Sequence, residues 1–272
     1  MKKLFLIIPI LFFLSIKELK VISYNIRYNN PNDGINIWDN RKSTITKFLI
    51  DESPDFAGLQ EVTYSQLSFL KDSLVNYSFI GVGRDDGKTK GEYSPIFYNK
   101  KKYKVLFNKT FWLSSSPEKA SVGWDASMER ICTYGLFENL SSKEKFWVFN
   151  THFDHVGNEA RKKSTDLILK KINEIKSMGN PVILTGDFNL DDNDSSIKKI
   201  QSQMTDVLLK IKKTNFHYET YNGFKNIVES KRRIDYIFVD NIEVKKAKHV
   251  HLKTSYNGWA SDHHPVLSIL KL

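Results

Sequence analysis

The segment Pro181 to Asn189 reads Pro-Val-Ile-Leu-Thr-Gly-Asp-Phe-Asn. It constrains the fold more than any other stretch. An apolar run that stops abruptly in Gly-Asp-x-Asn is that of a buried strand delivering two polar side chains to a rim. Strand side chains alternate, so Asp187 and Asn189 are expected on one face and Phe188 on the other. A carboxylate beside an amide suits the holding of a water near a phosphate. Asp and Asn also favour turns, so the segment alone is equally compatible with a strand followed by a plain turn.

The chain has 272 residues, enough for one large α/β domain. Its first fourteen residues stand apart: Lys2 and Lys3 precede an apolar run from Leu4 to Leu14, broken only by Pro9. This is the pattern of an export signal, and it is too short for a confident membrane span. No A-x-A-like tripeptide marks a cleavage point, so residues 1–18 are expected to act as an export signal or an N-terminal anchor. The protein is then periplasmic, extracellular or tethered to a membrane. Cys132 is the single cysteine, which rules out an intramolecular disulfide and leaves the compartment open. The formal charge of +10 favours polyanions or an anionic membrane surface, but the basic residues are scattered along the chain.

Strand-like and helical segments alternate from Leu19 onward. Lys20 to Arg27 reads as a strand with Val21, Ser23, Asn25 and Arg27 on one face. Asn40 to Ile50 reads as a helix, and Asp55 to Val62 as a short strand. Thr63 is positioned to cap a helix through Gln66, Leu67, Leu70 and Leu74. Strands follow at 94–98, 103–113, 131–138 and 145–153, then a helix over 159–178 stopped by Gly179-Asn180-Pro181. After Asn189 come a short helix and strands at 233–239, 244–251 and 266–270. The consecutive strands of the middle favour two layers of strands covered by helices over a doubly wound single sheet.

Six further strand-like runs end in a functional polar residue: Asn25 in Tyr-Asn-Ile-Arg, Glu61 in Leu-Gln-Glu, Glu92 before Tyr-Ser-Pro, His152 in Thr-His-Phe-Asp-His, Asp235 in Arg-Ile-Asp-Tyr-Ile-Phe, and Asp262 with His263 in Ser-Asp-His-His-Pro-Val. Any one is an ordinary strand end, but the ordered set, with Gly-Asp-Phe-Asn, resembles the endonuclease/exonuclease/phosphatase superfamily from Leu19 to Leu272. The segments from Gly81 to Gly87 and from Gly91 to Pro95 are similar to a bacterial, often exported branch of it.

That resemblance implies the deoxyribonuclease I fold, a four-layer α/β/β/α sandwich of two mainly antiparallel sheets flanked by helices, with residues 19–272 as the catalytic domain and the site between the sheets. It implies Glu61 and Asp262 as ligands of Mg²⁺ or Mn²⁺, with Asn25 beside them. Hard cations of this kind take oxygen ligands. Asp187 and Asn189 would position and deprotonate a water. His152 and His263 would hold phosphate oxygens or exchange protons, oriented by Glu92 and Asp235 respectively. Arg130 matches a phosphate-contacting position. His155 and His264 are either part of the substrate site or merely neighbours of it.

The implied reaction is in-line hydrolysis of a phosphoester. Fold and chemistry leave the substrate open: a phosphodiesterase or phosphatase is expected, with an exported nuclease on DNA or RNA as the alternative. The Pro-x-Trp-Cys-Asp-Arg element of inositol-polyphosphate phosphatases is absent, apurinic endonucleases do not fit an export-like start, and the membrane-docking aromatic hairpin of sphingomyelinases is not identifiable. A binding protein on the same scaffold is the reading from another class, and the full complement of acids and histidines opposes it. The expected partner is the substrate, with no protein partner and a monomeric state.

Overall fold

The structure, a computed structural model, describes residues 18–211, 219–225 and 232–271. The expected export signal or anchor falls on residues 1–17, outside the described residues, and Glu18 already belongs to the first strand. Among the described residues no helix is long and apolar enough to cross a membrane.

Twelve strands form two six-stranded sheets. The first contains β1 (Glu18–Asn25), β2 (Phe56–Gln60), β3 (Tyr77–Ile80), β4 (Ile96–Asn99), β11 (Glu243–His249) and β12 (Val266–Lys271), in the order β11-β12-β1-β2-β4-β3. The second contains β5 (Tyr103–Trp112), β6 (Ile131–Asn139), β7 (Lys145–His152), β8 (Val182–Asp187), β9 (Thr205–Asp206) and β10 (Asp235–Asp240), in the order β5-β6-β7-β8-β10-β9. Among the described residues, only β1/β2 and β7/β8 pair in parallel. Helices α1 (Trp38–Glu52) and α2 (Tyr64–Ser73) pack their apolar stripes on the outer face of the first sheet, through Ile45, Phe48, Leu67 and Leu70. Helices α3 (Asn158–Lys176) and α4 (Ser195–Gln201) cover the second through Ile168, Leu169, Ile172, Ile197 and Ile200. A third apolar cluster, including Val21, Phe56, Val148, Ile183 and Ile237, fills the space between the sheets. This is the expected four-layer α/β/β/α sandwich. The short β3 and β9 are added to the strands read individually from the sequence.

The helix ends are held as their sequences suggest. The Thr63 N–H donates to Gln66 Oε1 at 3.0 Å, one half of a capping box at α2. Asp194 accepts from the Ser196 N–H at the start of α4. At α3 the cap comes from afar: Asp125 accepts from the Glu159 and Ala160 N–H groups.

Between the sheets, beneath the mouth, lies a polar bridge centred on Asn150. Asn150 Nδ2 donates to the carbonyls of Leu59 (2.7 Å) and Pro95 (2.9 Å). Its Oδ1 accepts from Gln60 Nε2 (2.7 Å) and Thr185 Oγ1 (3.0 Å). Buried polar groups are costly unless paired, so these bonds fix how the sheets sit on each other. Gly58 makes room for the bridge, since a Cβ there would lie 2.1 Å from Thr185 Oγ1 and 2.7 Å from Asn150 Oδ1. Gly58→Ala is expected to destabilise the fold by about 1–3 kcal/mol through overpacking. Adding Thr185→Ala should recover part of that loss, as measured by denaturant unfolding; strictly additive losses would contradict the clash.

Candidate active site

Alternation along four central strands sends one row of side chains inward, and each row ends at the same mouth. In β1 the row is Val21, Ser23, Asn25; in β7 it is Val148, Asn150, His152; in β8 it is Ile183, Thr185, Asp187; in β10 Asp235 leads into Ile237 and Val239. Register brings them together. Asp187 lies opposite His152 across the parallel β7/β8 pair and opposite Asp235 across the antiparallel β8/β10 pair. The result is a cavity of about 560 Å³ lined by Glu61, Glu92, Arg130, His152, Asp187, Asn189, Asp262 and His263. Asn25 and Asp235 sit buried beneath it.

Asp187 is at the centre. Its Oδ2 accepts from Asn25 Nδ2 at 2.9 Å and lies 3.5 Å from His152 Nε2 and 3.7 Å from His263 Nε2. Its Oδ1 accepts from the Asn189 N–H at 2.9 Å. Burial and the neighbouring Asp235 carboxylate push the Asp187 carboxyl up to about 7. His263 Nδ1 is 2.8 Å from Asp235 Oδ2, the orienting contact expected of that pair. Burial works to lower the His263 pKa, but the carboxylates of Asp235 and Asp187 outweigh it and hold the imidazole well above its ordinary value. His152 moves the opposite way: burial, then the positive charges of Arg130 and Arg84, keep it neutral. One cationic and one neutral histidine thus flank the same carboxylate, a division of acid and base roles set by environment.

Asn189 belongs to this group by a different route from the one its strand pattern suggested. β8 ends at Asp187, and Asn189 has a left-handed backbone with φ of 50°. Phe188 still turns away into the outer core against Phe153 and Tyr236. Asn189 Nδ2 donates to the Phe153 carbonyl and faces His152 Nε2 at 3.2 Å, making that ring nitrogen the acceptor.

Across the mouth, Glu61 follows β2 with φ of 59°, which turns its carboxylate back over the sheet end. Its Oε1 accepts from Asn25 Nδ2 (3.0 Å) and its Oε2 from the Tyr28 N–H (3.0 Å). Asp262 is buried near it, and burial together with the Glu61 charge raises its pKa. Asn25, expected beside Glu61 and Asp262, instead donates from its amide nitrogen to Glu61 and Asp187. Its Oδ1 already accepts from the Arg27 N–H. It therefore links the two carboxylates by hydrogen bonds and does not offer them a free oxygen.

Glu61 and Asp262 form an oxygen-rich pair whose mutual repulsion a divalent cation would relieve, so the donor chemistry fits Mg²⁺ or Mn²⁺. Asp187, Asp235 and His263 also offer ligand atoms within 4.8 Å of one another among the described residues. There, however, the imidazole is already engaged by Asp235 at 2.8 Å, which makes this trio a hydrogen-bonded ion pair with a second carboxylate.

Glu92 requires a correction. It does not orient His152: its two oxygens accept from Arg84 Nη1 (2.9 Å) and Nη2 (3.1 Å). The bidentate clamp of a planar guanidinium takes both carboxylate oxygens. Arg130 does line the mouth, with Nε 3.3 Å from Asp154 Oδ1 and Nη2 2.9 Å from His155 Nδ1. His155 is thereby placed at the rim. His264 is elsewhere, stacked on His251 at 4.2 Å and edge-on to Trp259.

Arg84, Arg27 and Arg41 were not among the residues singled out from the sequence. Arg27 bridges Asp33 (2.9 Å) and lies 3.8 Å from Asp262. Arg41, fully buried on α1, donates to the carbonyls of Ile26 (2.7 Å) and Ala260 (2.8 Å), and so ties together the two loops that carry Arg27 and Asp262. An arginine on the apolar side of a helix was the only available signal for it.

Residues 22–263 match the model of the Endonuclease/Exonuclease/phosphatase family. Among solved structures, an endonuclease/exonuclease/phosphatase from Bacteroides vulgatus is 39% identical with a TM-score of 0.89, covering 94% of this chain and 99% of its own. The mannosyl-6-phosphatase Bt3783 of Bacteroides thetaiotaomicron is 36% identical with a TM-score of 0.85, covering 93% and 99%. The uncharacterized protein L388 of Acanthamoeba polyphaga mimivirus is 30% identical over 64% of this chain and 68% of its own length. With the family model spanning nearly the whole described fold and every element of the mouth, this chain belongs to the endonuclease/exonuclease/phosphatase family, a family of phosphoester hydrolases.

Proposed function

We propose that the protein is a divalent-metal-dependent phosphoester hydrolase acting on a phosphomonoester, with sugar phosphates as the first substrate class. The observation that carries the reading is the placement of Asp187 Oδ2 between His152 Nε2 and His263 Nε2, facing the Glu61–Asp262 pair. Similarity to a mannosyl-6-phosphatase supports the substrate class. The nuclease alternative is weaker because, among the described residues, the arginines of the mouth form no uncompensated basic track. Arg27, Arg84, Arg130 and Arg232 are each paired with or close to an acid, namely Asp33, Glu92, Asp154 and Asp191.

When bound at Glu61 and Asp262, the cation neutralises charge on the phosphoryl oxygens. The chain's own groups supply the rest. Asp187 accepts the proton of the attacking water, with Asn189 and Asn25 fixing the carboxylate's direction. His263, held cationic by Asp235, donates to a phosphoryl oxygen, and His152, neutral and with Nε2 facing the Asn189 amide as an acceptor, stands on the other side of Asp187 as a base. Arg130 closes the pocket beside His155 and adds positive charge suited to a dianionic monoester.

His263→Ala and Asp187→Ala are each expected to lower hydrolysis on the order of 10²- to 10³-fold or more, while circular dichroism stays that of the parent. Near-parental turnover by either variant, on a panel of sugar phosphates, bis-p-nitrophenyl phosphate and plasmid DNA with Mg²⁺, would overturn the assignment. Turnover of DNA alone would transfer it to a nuclease.

Metal binding has a thermal signature with a defined sign. Asp187, at about 7, binds its proton more tightly in the folded chain than an ordinary carboxylate near ~3.9 does. The native state therefore holds more protons between those values, and stability falls as pH rises through that window. The raised His263 acts in the same direction at higher pH. In EDTA the unfolding midpoint should drop from about pH 6.5 to pH 8, above the range in which the neutral-held His152 works the other way, and Mg²⁺ should raise it most at pH 8. A midpoint insensitive to Mg²⁺ at both values would remove the cation from Glu61 and Asp262.

A further inference from the structure

β1 runs from Glu18 to Asn25, so Glu18 marks the end of the sandwich opposite the mouth. Four connections gather there: 74–76, 100–102, 140–144 and 177–181. They are joined by the Lys100 N–H to the Asn76 carbonyl (3.1 Å), the Leu140 N–H to the Lys102 carbonyl (2.8 Å) and the Trp147 N–H to the Pro181 carbonyl (2.9 Å). Three large apolar side chains stand out from this end: Val75 (68% exposed), Leu140 (39%) and Met178 (61%). Lys100, Lys101, Lys143 and Lys145 are exposed around them. Acids on the same side are largely neutralised, Asp55 by Lys102, Glu138 by Lys104 and Asp240 by Lys176. Glu18, Asp72 and Glu144 also face solvent here, and the lysines outnumber them.

Protruding apolar side chains ringed by lysines suit the boundary between lipid headgroups and acyl chains. The sequence leads to the same surface. The apolar run ends at Leu14, and Ser15, Ile16 and Lys17 connect it to Glu18; three residues span at most roughly 10 Å. Eleven apolar residues, from Leu4 to Leu14, would reach roughly 16 Å even as a helix, against a hydrocarbon core of about 30 Å. An anchor that short needs a second contact to hold a protein stably.

We propose that the end of the sandwich carrying Val75, Leu140 and Met178 docks on an anionic lipid bilayer, as the second contact beside the N-terminal segment. The inference rests on that segment being retained. It also directs the active site. Eight strand residues at about 3.3 Å each place Asn25 roughly 25 Å from Glu18, so the mouth opens away from the bilayer toward soluble or glycan-borne phosphoesters.

Cys132 is buried, so a single introduced cysteine can be labelled in the full-length chain. A fluorophore at Met178→Cys should be quenched by nitroxide lipids in vesicles containing phosphatidylglycerol, severalfold more than one at Lys119→Cys beside the mouth. High salt should weaken the effect. The triple change Lys100→Glu, Lys101→Glu and Lys143→Glu should lower partition on the order of 100-fold, since each lysine near an anionic surface contributes roughly fivefold, with hydrolysis of a soluble substrate unchanged. Equal quenching at both positions, no dependence on phosphatidylglycerol, or tighter binding to a duplex oligonucleotide than to the vesicles would each overturn the proposal. Binding to pure phosphatidylcholine vesicles reports the N-terminal segment separately. Its absence would likewise overturn the proposal, because the sandwich end would then have no first contact to supplement.

Discussion

The Asn150 bridge is the contact on which the site depends. It joins Gln60 and the Leu59 and Pro95 carbonyls of the first sheet to Thr185 of the second. Strand geometry places residues i and i+2 on one face. Asn150 therefore predicts where His152 points, Thr185 where Asp187 points, and Ser23, near the Gln60 amide at 3.4 Å, where Asn25 points. A slip of one residue in any of these strands would turn its functional side chain into a helix-covered outer core. Apolar packing between the sheets tolerates small shifts, whereas the bridge demands particular partners. Specificity of register, more than net stability, is what its buried hydrogen bonds supply.

Above that bridge the fold assembles a charge distribution that burial alone would forbid. Burial raises both Asp187 and Asp262, the first with the help of the Asp235 charge and the second with that of Glu61. The chain offsets this in two ways. On one side His263 becomes cationic between two carboxylates. On the other, the His263 charge and, behind it, Arg27 at 3.8 Å and the buried Arg41 temper Asp262 only partly. The imbalance between these halves distinguishes an internally neutralised proton-handling side from a side whose donor set suits an added cation. Electrostatics and strand position divide the site in the same place.

Much of this was legible in the sequence because catalytic residues at strand ends inherit the alternation of the strand. Alternation places Asn25 and Asp187, whereas His152, Asp235 and His263 are marked by their places at the ends of strand-like runs and given roles by the family resemblance. The rule weakens wherever the backbone leaves the strand. Arg27, Glu61 and Asn189 all have positive φ, so their directions are set by loop hydrogen bonds that no period encodes. Glu92 fails for a different reason. Its partner is decided by Arg84, presented on a loop pinned by the Trp112 indole N–H on the Arg84 carbonyl at 2.6 Å, a contact between segments far apart in sequence.

The paired arginines of the mouth add a constraint on substrate that neither the fold nor the metal chemistry supplies. A polyanion binds through many cations spread along a track, each free to release a counterion. Here Arg27, Arg84 and Arg130 are already engaged by Asp33, Glu92 and Asp154. They stiffen the pocket walls and set its shape, contributing little long-range field along the surface. Such a mouth discriminates by fit within one cavity. On the proposed reading, that property is what would favour a terminal phosphoryl group with its own local contacts over a charged strand that must lie across the rim.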